Sequence, residues 1–162
     1  MKLKLLYMNS KHEELCTDKD AVRKIKENDG QILKFMTGFI INIDEDEIMY
    51  AIAVMPGVEH CSILGLLTRY VRTNKNGRHT TDTDDDIVSS QNRKLGGGCL
   101  KVSGDVLEFC NSSWKYGVYD PTYLFRMDSS IKELFGVKTI EYYTDHEHRA
   151  TDSVKYKPYT EE

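Results

Sequence analysis

Three stretches of this chain carry residue types that can handle an anion. The first is His60, in Val58-Glu59-His60-Cys61-Ser62-Ile63, just after a Pro56-Gly57 turn. Apolar residues at 63, 64, 67 and 71 predict a helix over roughly 61–72. A helix N-terminus presents N–H groups and the positive end of the helix dipole, which together hold an anion. A histidine there can act as base or nucleophile on a bound phosphate. The plainer alternative is an ordinary, partly exposed histidine. The second stretch is the triplet Gly96-Gly97-Gly98, which lets backbone approach a ligand or another strand closely. No Gly-Lys-Ser or Gly-Lys-Thr follows it, and it does not match GxGxxG, so tight strand packing or a bulge is its plainer meaning. The third runs from Asn111 to Gly117, where Ser112 and Ser113 offer hydroxyl and backbone N–H groups at the end of a strand. Such a segment forms either an anion-binding nest or a simple polar turn.

The elements that must position these residues are those of an α/β domain of the α+β type. The expected architecture is a mixed sheet of five or six strands flanked by helices. Residues 3–8 suit a short strand. Residues 19–28 suit a helix with Ala21, Val22 and Ile25 on one side, Asp18 as N-cap and Asn28-Asp29-Gly30 as its stop. Residues 31–43 and 48–55 read as a strand pair, with Gly38 marking a bulge or turn. After the glycines, residues 100–102 and 106–110 form a hairpin turning at Ser103-Gly104-Asp105. A helix over 129–135 is capped by Asp128 or Ser129 and ended by Gly136, and residues 138–143 make a closing strand. Residues 1–30 read as an N-terminal extension packed on the domain, 31–143 as the domain itself, 73–92 as a mobile loop and 144–162 as a polar tail.

Composition limits the possible functions. With 22 basic and 26 acidic side chains the net charge is −4, which disfavours duplex DNA as a partner, although a local basic patch can still bind phosphate. No apolar run approaches the roughly 20 residues of a membrane span, so a cytoplasmic protein without a membrane partner is expected. Cys16, Cys61, Cys99 and Cys110 form no CxxC pair and read as small buried hydrophobes. Asp82, Asp84, Asp85 and Asp86 lack the glycine and distal glutamate of an EF-hand and read as a solvated loop. His146 and His148 lack further ligands at suitable spacing, so no metal and no cofactor is expected.

The order of these features resembles the Janus/Ocnus family of phosphohistidine phosphatase-like proteins. The likeness is clearest in Leu95-Gly96-Gly97-Gly98, the hairpin after it, and Ser113-Trp114-Lys115-Tyr116-Gly117, against a family pattern of Leu-Gly-Gly-Gly, two strands, then Ser-x-x-Tyr-Gly. It covers about 48–143. By position, the resemblance implies that His60 is the catalytic histidine and that Cys61 supplies the next backbone N–H. It implies that Ser113, Trp114 and Lys115, with Ser112 beside them, hold the phosphate, with Lys34 or Arg23 standing for a first-strand lysine. The family usually has an arginine after the glycines, where this chain has Cys99, and a thiol cannot replace a guanidinium fork. Arg93, Lys94 or Lys115 are the nearby cations that would compensate.

Three functions follow as expectations. One is metal-independent hydrolysis of a phosphoramidate, such as a phosphorylated protein histidine. Another is retention, without turnover, of a phosphate-bearing ligand such as a signalling nucleotide, as a viral or phage sequestering protein would do. The last is a protein-interaction module using loop 73–92 or tail 144–162, whose tyrosines suit contacts.

Overall fold

A computed structural model describes residues 2–42, 47–73, 95–110, 112–113, 117–118, 122–144 and 157–158. In chain order they form β1 (Lys2–Met8), β2 (Leu15–Thr17), α1 (Asp18–Lys26), β3 (Leu33–Asn42), β4 (Glu47–Val54) and α2 (His60–Thr73). Then come β5 (Leu95–Ser103), β6 (Val106–Cys110), β7 (Ser112–Ser113), β8 (Gly117–Val118), α3 (Thr122–Arg126), α4 (Asp128–Phe135), β9 (Thr139–Thr144) and β10 (Lys157–Pro158). Eight strands join one mixed sheet in the order β10-β9-β6-β5-β3-β4-β1-β2, and β7 and β8 form a separate hairpin. The β1–β4 and β6–β9 pairs are parallel and the others antiparallel.

The general α+β class holds, but the strand number does not. The sheet has eight strands rather than five or six, because β2 and β10 close its two edges. They are three and two residues long, too short for any alternation to show in a sequence. The segment 1–30, expected to lie on the domain as an extension, supplies β1 between β2 and β4. Its Leu5 and Leu6 are fully buried.

Period-two alternation assigns the core to two layers. Leu5, Tyr50, Ile52, Phe35, Leu100 and Phe109 belong to the cluster that includes Ala21, Val22 and Ile25 of α1 and Ile131 and Phe135 of α4. Leu6, Met36, Ala51 and Ala53 point the other way, against Ile63, Leu64 and Leu67 of α2. Along β4, large side chains thus face one layer, while two alanines leave room for α2 on the other.

Local details depart from expectation in instructive ways. Asp18 opens α1 with φ +49, and its carboxylate serves the neighbouring strand: Lys4 Nζ lies 2.9 Å from Oδ2, and Leu5 N–H donates to Oδ1 at 3.3 Å. It is therefore an anchor to β1 rather than a cap; the N-cap position falls to Thr17, which makes no side-chain capping bond. Gly38 lies in unbroken register with Ala51 and Leu95, so it marks neither bulge nor turn. Met127 occupies the N-cap position of α4, where no side-chain capping bond forms, and Asp128 pairs with Lys132 at 2.8 Å. Gly136 ends α4 in the left-handed region as expected, with φ +65.

A candidate anion site at the start of α2

Helix α2 begins at His60, one residue earlier than its apolar spacing suggests. The backbone carbonyl of Glu59 accepts N–H bonds from Ser62 at 3.0 Å and Ile63 at 3.4 Å, which makes Glu59 the residue that starts the helix. First-turn N–H groups, that of Cys61 among them, have no acceptor inside the helix itself. The His60 ring turns inward and is only 7% exposed. Its Nε2 lies 2.9 Å from the carbonyl oxygen of Gly98. A carbonyl can only accept, so Nε2 carries the proton, and in the neutral ring Nδ1 holds the lone pair. This bond joins the first two chemical features of the sequence, the histidine and the glycine triplet.

The triplet does not precede its strand as a loop; β5 runs through it. Gly98 pairs with Phe35 on β3, and a Cβ added at Gly98 would overlap the Cys110 carbonyl oxygen on β6 and crowd the Phe35 ring. Only glycine lets three strands come this close while its own carbonyl reaches the histidine.

Lys34 and Cys99 are paired across β3 and β5, on the face opposite Phe35 and Leu100. Lys34 Nζ lies 3.4 Å from Glu59 Oε2, the residue before His60. One side of the site therefore combines a lysine, a carboxylate, an imidazole and a buried thiol. Cys99 pairs in turn with Cys110 on β6. Burial pushes the Cys99 thiol up to about 12, the proximity of Cys110 adds to this, and Lys34 opposes it. Cys99 is therefore a neutral thiol and brings no positive charge. The expectation of four small buried hydrophobes holds for Cys16, Cys99 and Cys110, whereas Cys61 is exposed in the first turn of α2.

Of the other expected residues, Ser112 and Ser113 form β7, which with β8 packs against β5, so the serine segment borders the strand that His60 touches. Trp114, Lys115, Arg93 and Lys94 lie outside the described residues, as do the aspartates at 82, 84, 85 and 86, both tail histidines, and most of loop 73–92 and tail 144–162. Arg23 belongs to α1, on the far face of the sheet, and pairs with Asp20 at 3.3 Å; it is not part of this site. Glu59 was not singled out by the motif, although a carboxylate directly before a histidine at a helix start is a legible signal. Among the described residues, no group of three His, Cys, Asp or Glu side chains is placed to hold a metal ion, and no helix is long and apolar enough to cross a membrane.

What fold and site together define is an α+β protein whose buried histidine links a helix start to a glycine-bearing central strand. Neither models of known protein families nor curated proteins match this chain. The Janus/Ocnus resemblance therefore rests on the motif and on the order of elements alone.

Proposed function

We propose that this protein binds a phosphoryl group beside His60 and hydrolyses a phosphoramidate there without a metal ion. The supporting observation is the His60–Gly98 bond, which places the proton on Nε2 and sets the buried ring between the start of α2 and the glycine-bearing strand. His60 would take a proton from a water that attacks phosphorus and pass it to the amine as the P–N bond breaks. If His60 itself attacks phosphorus, its ring proton leaves with the amine; a water then hydrolyses the phosphorylated His60, releasing inorganic phosphate and returning a proton to the ring. Lys34, the first-turn N–H groups at Cys61 and the segment from Ser112 to Lys115 would neutralise the phosphoryl oxygens.

The test is hydrolysis of a phosphohistidine substrate by His60→Ala and His60→Gln. The glutamine amide can still donate to the Gly98 carbonyl, so that variant should fold. Both are expected to lose at least about a hundredfold in rate, with far-ultraviolet circular dichroism unchanged. A rate near that of the parent protein would refute the proposal.

One observation favours a second reading. Cys99, at the position where the resemblance calls for arginine, is buried and neutral, so it offers nothing to a developing negative charge. On that reading the site beside His60 retains a phosphate-bearing ligand, such as a nucleotide, without turning it over. Thermal shifts with a nucleotide panel decide it: tight binding without product selects retention.

A further inference from the structure

The Lys34–Glu59 ion pair has a lopsided setting. The lysine side chain is 20% exposed and faces the buried thiol of Cys99, whereas the glutamate side chain is 78% exposed and reaches in from the residue that starts α2. An anion arriving beside His60 meets a lysine whose charge is already engaged by a carboxylate of the protein itself. Both groups bind the same ammonium, and both favour the positive end of α2. We infer that Glu59 is an intramolecular competitor for Lys34 that holds the phosphate affinity of the site down. This rests on the phosphate-site reading given above. An incoming phosphoryl group displaces the carboxylate, and the carboxylate's return assists departure of inorganic phosphate, the product that such a site must release on every turnover.

The weakness of the contact suits the role. A solvent-facing ion pair at 3.4 Å is worth little, so displacing it lowers affinity by a few-fold without closing the site. A purely structural role for Glu59 makes the opposite prediction. Removing its charge from the helix start would loosen α2 and weaken binding.

The experiment is a double-mutant cycle on the full chain, with inorganic phosphate as the probe. Binding is followed by calorimetry, and the site by the His60 ring resonances. Glu59→Gln should bind phosphate about two- to fivefold more tightly than the parent protein. That gain should vanish in a Lys34→Met background, because the contested charge is then gone. Equal affinities of parent and Glu59→Gln, weaker binding by the variant, or an equal gain in both backgrounds would each overturn the inference while leaving the phosphate site standing. Failure of the parent protein to bind phosphate at all, with the His60 resonances unmoved, would remove the phosphate site and this inference with it.

Discussion

The two faces of the sheet are built on different terms. The face under α1 and α4 is apolar from one side to the other. Leu5, Ile52, Phe35, Leu100 and Phe109 form a continuous layer, closed by the stacked pair of Phe109 and Tyr142 and the edge-on pair of Phe35 and Phe109. The face under α2 changes character halfway. Over β1, β3 and β4 it is apolar, with Leu6, Met36, Ala51 and Ala53 beneath the helix. Over β5, β6 and β9 it carries Lys101 paired with Glu108 at 3.0 Å, then Glu141 beside Glu108. Glu108 Oε2 is cut off from water and finds no hydrogen-bond donor among the described residues, where the Lys101 ammonium at 3.0 Å offsets its charge. Lys34, Cys99 and His60 stand on the border between the two halves. The contrast teaches a division of labour: one face is apolar throughout, and the other gives up part of its apolar surface to charged and polar groups.

Damage to the first face should therefore lower stability, and damage at the border should reach the site. Phe109→Ala removes a ring that is 1% exposed and touches two other aromatic rings. It should lower unfolding free energy by about 3–5 kcal/mol in urea titrations. The contrast fails if the loss is under about 1 kcal/mol.

Gly98→Ala sits where the faces meet. The added methyl collides with the backbone carbonyl of Cys110, which cannot rotate away as a side-chain tip could. A loss of about 1–3 kcal/mol is expected, together with displacement of the carbonyl that His60 uses, seen as a shifted His60 ring resonance. An alanine variant with parental stability and an unmoved ring would show that the triplet does not hold the site.

The smallest effect is a dependence on alkaline pH. The Cys99 thiol has an ordinary value of 9.0 and is pushed up to about 12, chiefly by burial. Between those values the unfolded chain gives up the proton more readily, so stability present below pH 9 is lost progressively as pH rises towards 12. The loss should reach about 1 kcal/mol by pH 10, and Cys99→Ala should show a shallower decline. Burial also raises Tyr142, aided by Asp128, so a residual decline above pH 10 should persist in that variant. Identical pH profiles would mean that Cys99 titrates in the fold as it does in the unfolded chain.

Much of this arrangement is legible in the residues. The spacing of Ala21, Val22 and Ile25 gives the buried side of α1, the β-branched runs give β3 and β4, and Gly136 ends α4 as its type suggests. His60 and the glycine triplet are each visible, but only the sheet order places the Gly98 carbonyl against the ring. The strand through the glycines is hidden because glycine disfavours strands on its own; its presence here follows from crowding by Cys110 and Phe35, which no local pattern reports. Lys34 and Arg23 are likewise told apart only by topology: one lies on β3 next to Cys99, the other on a helix across the sheet. Asp18 reads as a cap because aspartate at a helix start commonly is one, and its distant partner Lys4 is what decides otherwise.

The position of β1 has a consequence for synthesis. Lys2 pairs with Met49 and Leu3 with Tyr50, so this strand leaves the ribosome well before its parallel neighbour. Meanwhile β2 and α1 can cover one of its sides, leaving the other with a bare row of amide and carbonyl groups flanked by Leu5 and Leu6. An open ladder of that kind invites pairing with another nascent chain. Speed of elongation through residues 9–54 therefore sets how long each molecule is exposed to that hazard.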